Sequence, residues 1–173
     1  MKIEVLRLSH RIRRDPRLST HVALTARAFL ASKLFYSGDK DSSLEATVNK
    51  VTSQFGGSFQ INHIEDPIKF ITEKKNEDYL AVHLSIYGLT LNSVLKKIKF
   101  QKNILIIIGG EKVQPEIFQL ADYNVSITQQ PISEVSALAI FLHELTEGKE
   151  LISKFRNAKI QVIPSAREKR FKK

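Results

Sequence analysis

The stretch Ile104-Leu105-Ile106-Ile107-Ile108 is an uninterrupted apolar run, and Gly109-Gly110 ends it. The run contains no polar residue, which is typical of a central strand buried on both faces of a parallel sheet. Shorter apolar runs alternate with helical patterns along the rest of the chain. This alternation predicts an α/β fold with a mostly parallel sheet and helices on both of its faces.

Helices and strands are predicted on either side of this strand. Thr20 is expected to cap the first helix, Gly56-Gly57 to stop the second, and Gly88 to break the strand that begins at Tyr79. Strands are predicted at 3–8, 34–36, 59–62, 79–85, 123–127 and 159–163, and helices at about 20–29 and 44–55, from Pro67, from Pro115 and at about 135–145.

The composition excludes several classes of protein. The 173 residues suit a single domain, with a basic tail from about residue 165. The sequence has no cysteine, which excludes disulfides, thiolate zinc sites and cysteine nucleophiles. It also has no P-loop, no Gly-x-Gly-x-x-Gly fingerprint and no Gly-x-Ser-x-Gly elbow, and its five histidines show no metal-binding spacing, so no metal is expected.

Positive charge is concentrated at both ends of the chain. The net charge is +9, and every arginine lies within residues 1–31 or 149–173. Because the guanidinium matches phosphate geometry, a nucleic acid is the expected partner, although the tail charge alone is also compatible with a solvated terminus. The sequence shows no secretion signal and no apolar run long enough to span a membrane, so a soluble cytoplasmic protein is expected.

Three segments that follow predicted strands, after Ser85, Ile108 and Ile127, are candidates for a ligand site, because open α/β sheets bind ligands beyond the carboxyl ends of their strands. Gly109 to Val113 contains two glycines that allow close approach to the backbone, and a plain strand-to-helix turn explains them equally well. Ile127 to Glu134 is rich in amide and hydroxyl groups, which favours a ligand loop over helix capping alone.

Several motifs in one order resemble the archaeal tRNA cytidine-56 ribose 2′-O-methyltransferase family over nearly the whole chain. The motifs are Leu6-Arg7-Leu8-Ser9-His10-Arg11, Arg14-Asp15, Thr20 to Phe29, His83-Leu84-Ser85-Ile86-Tyr87-Gly88, Gly109-Gly110-Glu111-Lys112-Val113 and Ala121-Asp122-Tyr123-Asn124-Val125. The resemblance implies a SPOUT fold with a C-terminal trefoil knot, a homodimer, and S-adenosylmethionine bound in the knot loops. Its methyl group would pass to the ribose 2′-hydroxyl of cytidine 56 in the TΨC loop of tRNA.

The resemblance also assigns residues. Arg27 matches an arginine near the target 2′-hydroxyl, which makes it the catalytic candidate, and Glu111 is expected to support the site. The expected RNA contacts are Arg7, His10, Arg11, Arg14 and Arg17. The expected cofactor contacts are Leu84, Gly109, Gly110, Glu111, Lys112, Val113, Ile127, Thr128, Gln129, Gln130, Pro131, Ile132, Ser133 and Glu134.

The chain departs from the family pattern in its cofactor loop. Thr128, Gln129 and Ile132 replace a glycine, an asparagine and a histidine that are usual there, and Gln114 replaces a proline. Cofactor contacts made by main-chain atoms survive such changes, whereas a side-chain role at position 132 does not. Two alternatives remain: an RNA-binding protein without catalysis, and a SPOUT methyltransferase that modifies rRNA or a base.

Overall fold

The computed structural model describes residues 1–14, 17–109 and 113–172. Helices and strands alternate over most of the chain. The strands are β1 (Lys2–His10), β2 (Lys33–Gly38), β3 (Gln60–His63), β4 (Tyr79–Thr90), β5 (Asn103–Ile108), β6 (Tyr123–Ser126), β7 (Gln161–Ile163) and β8 (Arg170–Lys172). The helices are α1 (Leu18–Ala28), α2 (Ser42–Phe55), α3 (Pro67–Asn76), α4 (Leu91–Lys99), α5 (Pro115–Leu120) and α6 (Glu134–Thr146), with a short 3-10 turn at Lys149–Leu151.

Strands β1 to β6 form one sheet in the order β3-β2-β1-β5-β4-β6, and every neighbouring pair is parallel. This arrangement confirms the predicted α/β fold with a parallel sheet. Because β4, β5 and β6 are adjacent, the segments that follow them meet at one edge of the sheet. The predicted trefoil knot stays a prediction.

The central strand β5 divides the core into two parts. Ile104, Ile106 and Ile108 pack on one face with side chains from α1, α2, α4 and α6. Leu105 and Ile107 pack on the other face with Ile71 of α3 and Ile117 of α5. The five apolar side chains of β5, Ile104 to Ile108, are at most 1% exposed, which confirms that both faces of the strand are buried.

Of two predicted helix signals, one is confirmed by the structure and the other is wrong. Gly56 follows α2 with a φ of 81°, so it ends that helix as predicted. The prediction that Thr20 caps α1 is wrong, because the helix begins at Leu18 and Arg17 occupies the capping position without a side-chain hydrogen bond. Thr20 therefore lies inside the first turn.

The prediction that Gly88 breaks the fourth strand is also wrong. Strand β4 continues to Thr90, and its pairing with β6 shifts register between Leu84 and Leu89. A Cβ at Gly88 would lie 2.5 Å from the backbone of Asn124 and Val125, so the glycine allows two strands to approach closely.

Helix α4 was not predicted, although Leu91, Val94 and Ile98 recur at helical spacing and are buried. The predicted last strand exists as β7, but it pairs antiparallel with β8 in a separate two-stranded ribbon and does not join the main sheet. Within the described ranges, no helix is long and apolar enough to cross a membrane.

Candidate functional site

A cavity of about 310 Å³ opens where β5 and β6 end and β4 shifts its register. This volume falls at the lower end of the range of small-molecule sites, which is roughly 300–1,000 Å³. We call it the strand-end cavity. Seven residues predicted to contact a cofactor line it: Leu84, Gly109, Val113, Ile127, Thr128, Ile132 and Glu134.

Four other predicted residues are not brought to this cavity. Gln129, Gln130 and Pro131 are exposed and are not part of its lining. The Ser133 hydroxyl accepts a hydrogen bond from the Ser136 N–H at 3.1 Å, so it caps α6. Gly110, Glu111 and Lys112 lie outside the described residues.

The turn after β5 is packed too closely for a larger residue at its first position. A Cβ at Gly109 would lie 2.6 Å from Cγ2 of Val113 and 3.3 Å from Cδ1 of Leu8. Backbone therefore forms this part of the cavity wall, as a ligand that approaches the main chain requires. At Thr128, the hydroxyl accepts a hydrogen bond from the Gln130 N–H at 3.3 Å, so this side chain serves its own loop.

The strand-end cavity also contains side chains that the sequence did not single out as ligand contacts. His83, Ser85, Ile86 and Tyr87 come from β4 on either side of Leu84, and Phe118 comes from α5. His83 is 1% exposed, and burial lowers its pKa. The position of the four β4 residues next to Leu84 in the sequence was a signal that could have identified them.

Arg7 is buried next to the strand-end cavity and does not reach the surface. It is 2% exposed, its Nη1 donates to the Leu8 carbonyl at 2.5 Å, and its Nη2 is 3.7 Å from Oε1 of Glu134. The side chain of Arg7 is therefore buried in this structure, and its contact with RNA stays a prediction. Its charge pairs with Glu134, which lines the cavity.

His10 is fully buried as well, and its contact with RNA also stays a prediction. Its Nδ1 is 2.8 Å from the Ser19 hydroxyl, and its Nε2 is 3.1 Å from Oδ2 of Asp41. The order serine, histidine, aspartate resembles a hydrolase relay, but Ser19 is 0% exposed and cannot meet a substrate. The network instead fastens β1 to α1 and to the start of α2.

Asp41 contacts His10 with one carboxylate oxygen and the start of α2 with the other. Its Oδ1 accepts hydrogen bonds from the N–H groups of Ser43 and Leu44 at 2.9 and 3.0 Å, which caps α2. The Leu44 hydrogen bond is the largest cause that lowers the pKa of Asp41, and the contact with His10 adds to it. The carboxylate is therefore ionised at neutral pH.

Three of the predicted RNA contacts remain on the surface. Arg11, Arg14 and Arg17 are exposed in the segment between β1 and α1. They follow His10 directly, so the buried network fixes the point from which this arginine-rich segment begins. Their contact with RNA stays a prediction.

Arg27 lines a second cavity, of about 560 Å³, together with Phe55 and residues 153–155, 158 and 160–164. We call it the arginine cavity, and its lining shares no residue with the described lining of the strand-end cavity. The Arg27 Nη2 donates to the Gly56 carbonyl at 2.5 Å, and the guanidinium carbon lies 4.7 Å from the Phe155 ring centroid. The arginine is 6% exposed, and no carboxylate pairs with it among the described residues.

Burial lowers the pKa of Arg27, and its Nε is sealed from solvent without a hydrogen-bond partner in the described part of the chain. A buried cation without an opposite charge is costly, so this cavity is suited to an anionic group. Lys154 and Lys172 also line it. Across the described ranges, no group of three or more histidine, aspartate or glutamate side chains is arranged to hold a metal ion.

Comparison with solved structures identifies proteins with a similar fold. The chain is similar to the TrmH/SpoU tRNA modifying enzyme of A. aeolicus, with a TM-score of 0.64 and 17% identity over 87% of this chain and 77% of that one. It is also similar to the SpoU methyltransferase AviRb from Streptomyces viridochromogenes in complex with the cofactor AdoMet. For AviRb the TM-score is 0.62 with 16% identity, covering 88% of this chain and 59% of that one.

Sequence comparison identifies the family. The chain is 46% identical to the tRNA (cytidine(56)-2′-O)-methyltransferase of Methanococcus aeolicus, over 98% of this chain and 97% of the relative. Residues 55–172 match the model of the family described as tRNA ribose 2′-O-methyltransferase, aTrm56. The match spans more than half of the chain and includes the segments that build the strand-end cavity. The chain belongs to the tRNA ribose 2′-O-methyltransferase family aTrm56.

Proposed function

We propose that this protein transfers a methyl group from S-adenosylmethionine to the ribose 2′-hydroxyl of cytidine 56 in the TΨC loop of tRNA, in the cytoplasm. The observation that carries the proposal is the 46% identity to a relative of that name over almost the full length of both chains. The strand-end cavity supplies the second support, because it lies at the carboxyl edge of the sheet where such folds bind ligands.

The strand-end cavity is the proposed cofactor site, and the residues present fit the group. Leu84, Val113, Ile127 and Ile132 offer apolar walls for an adenosyl group, and Gly109 leaves the backbone accessible. When bound, S-adenosylmethionine supplies a methyl group activated by a positively charged sulfur. The resemblance further proposes Glu134, which lines the cavity, together with Gly110, Glu111 and Lys112. It also proposes Gln129, Gln130, Pro131 and Ser133, which lie outside the lining in the adjoining loop.

The reaction forms a carbon–oxygen bond at the ribose, breaks a carbon–sulfur bond, and releases the hydroxyl proton. We propose Arg27 as the catalytic residue that orients the ribose and its neighbouring phosphate. A guanidinium stays protonated in proteins even where burial lowers its pKa, so electrostatic positioning is its role. The uncompensated charge in the arginine cavity supports contact with the RNA backbone.

We propose that the protein acts as a homodimer. Arg27 and the cofactor residues line separate cavities of one chain, so a complete site needs them to come together from two subunits. In this arrangement the partner's Arg27 faces the strand-end cavity. The exposed Arg11, Arg14 and Arg17 would then hold the phosphates of the same tRNA.

The proposal is tested with purified protein, methyl-labelled S-adenosylmethionine and two tRNA transcripts. One transcript is unmodified, and its matched control carries 2′-deoxycytidine at position 56 and therefore lacks the acceptor hydroxyl. We expect label in the first tRNA only, and we expect mapping to place it on the ribose of cytidine 56. Equal labelling of both transcripts, label on a base, or tRNA binding without methyl transfer would each contradict the proposal.

A further inference from the structure

His83 is held rigidly in the wall of the strand-end cavity. Its Nδ1 lies 2.8 Å from Oδ1 of Asn124. Its ring meets the Phe118 ring edge to face, with centroids 4.6 Å apart and planes at 87°. Because both contacts fix the ring, Nε2 is the nitrogen that remains for another partner.

Asn124 determines which ring nitrogen carries the hydrogen. The Asn124 Nδ2 donates to the Phe118 carbonyl at 2.9 Å, and a carbonyl oxygen can only accept. The amide oxygen of Asn124 therefore faces His83, and an oxygen acceptor requires a hydrogen on Nδ1. In the neutral ring, Nε2 then carries a lone pair and acts as an acceptor.

Burial lowers the pKa of His83 and outweighs the opposing effect of the hydrogen bond that His83 donates to Asn124, so the ring is neutral at pH 7. Other charged groups on the neighbouring elements have partners of their own, since Glu134 pairs with Arg7 and Asp122 pairs with Lys75. Tyr87 is a further titratable side chain in the cavity lining. None of these groups forms a hydrogen bond with His83.

No described residue forms a hydrogen bond with Nε2. Nε2 is also absent from the unpartnered polar atoms that are sealed from solvent, so it keeps some exposure. Since His83 is a lining residue of the strand-end cavity and is only 1% exposed, we assign the remaining exposure of Nε2 to that cavity. The cavity therefore presents one oriented acceptor from its β4 wall.

We infer that His83 is a cofactor-binding residue whose Nε2 accepts a hydrogen bond from a hydroxyl or amino group of the bound methyl donor. Asn124 is a positioning residue that acts through His83, because it fixes the tautomer. The inference rests on the proposed function, since it assumes that the strand-end cavity holds S-adenosylmethionine. It adds a side chain that recognises the donor to a site built largely of apolar groups and backbone.

The test is calorimetric titration of the full chain with S-adenosylmethionine. His83→Phe keeps a ring against Phe118 but removes the acceptor, and we expect about tenfold weaker binding. His83→Gln restores an acceptor and is expected to recover most of the affinity. Thermal unfolding of each variant verifies that the fold is retained.

The pH dependence of binding separates recognition from a purely structural role. Protonation turns Nε2 into a donor, and burial lowers the pKa of His83, so wild-type affinity should fall only as the pH drops below the ordinary histidine value of 6.5, whereas His83→Gln should show no such loss. Asn124→Asp places a carboxylate beside the ring, which raises the pKa of His83 and should move the loss to higher pH.

Equal affinities of wild type and His83→Phe would overturn the inference, as would one shared pH profile for wild type and His83→Gln. Absence of any S-adenosylmethionine binding by the wild type would instead refute the proposed function. The two failures are therefore distinguishable in the same experiment.

Discussion

Arg7 Nη2 and Glu134 Oε1 lie 3.7 Å apart, so an ion pair joins strand β1 to the first residue of α6 beside the strand-end cavity. The arginine is 2% exposed and the glutamate side chain 22% exposed. Glu134 thereby links two parts of the sequence that are far apart. It is at once a lining residue of the cavity and the counter-charge of a buried cation.

Glu134→Gln keeps the shape of the side chain but removes this counter-charge. We expect the free energy of unfolding to fall by about 1 kcal/mol, because the pair is only partly shielded from water. Urea unfolding followed by circular dichroism measures the change. Glu144→Gln is the matched control, since Glu144 is exposed on the same helix. Equal effects of the two variants would contradict the assigned role.

Asp41 should make folding sensitive to acid. Its pKa is lowered in the folded protein by the Leu44 and Ser43 N–H groups and by His10, so its contribution to stability is fully present above the ordinary value of 3.8. That contribution is lost as the pH falls through the lowered folded-state pKa. Asparagine also caps helices well, so the cost of Asp41→Asn, about 1 kcal/mol, should come mainly from the lost charge beside His10.

Urea unfolding of wild type and Asp41→Asn from neutral pH to about pH 2 measures this dependence. The difference between the two proteins should shrink as the pH falls. Asp66→Asn is the control, because Asp66 caps α3 through the Lys69 N–H but is exposed. A difference that stays constant with pH would show that the Asp41 charge does not contribute.

Arg27→Ala should reduce methyl transfer by about a hundredfold or more while leaving S-adenosylmethionine affinity nearly unchanged. The reason is that the side chain lies outside the strand-end cavity of its own chain. Single-turnover methylation and calorimetry measure the two quantities. Lys50→Ala, which removes an exposed cation from α2, should change neither.

A mixed dimer tests whether the site is shared. One subunit carries Arg27→Ala, and the other carries a substitution that blocks its strand-end cavity, such as Ala137→Trp. The mixed dimer should recover activity, because one of its two sites then has both an open cavity and Arg27. Mixing after denaturation and refolding, followed by methylation assays, gives the result. Two inactive parents that give an inactive mixture would contradict a site built from two subunits.

The basic tail should contribute charge to tRNA binding. Arg167→Gln combined with Lys169→Gln removes two exposed cations without altering the strands β7 and β8. We expect weaker tRNA binding, and we expect the slope of log affinity against log salt to become shallower by about one to two units. The matched control removes Lys96 and Lys97 of α4, which are also exposed. Identical salt slopes in all three proteins would show that the tail does not contact RNA.

Local patterns in the sequence were sufficient to predict many of the helices and strands. The run from Ile104 to Ile108 has no polar alternation, and a strand of that kind is stable only when both faces are covered. The glycine pair after Phe55 likewise predicted the end of α2. Helix α4 was not predicted, although Leu91, Val94 and Ile98 recur at helical spacing.

The amino-acid sequence by itself determined the parallel α/β sheet, the family, and the strand-end segments in which a ligand site was to be sought. Only the tertiary structure decided which side chains face that cavity, that His10 and Arg7 are buried, and that Arg27 lies elsewhere in its own chain. The physical reason is the range of the interactions. Apolar periodicity acts within one helix or strand, whereas Asp41 meets His10 and Asn124 meets His83 only after the chain has folded back on itself.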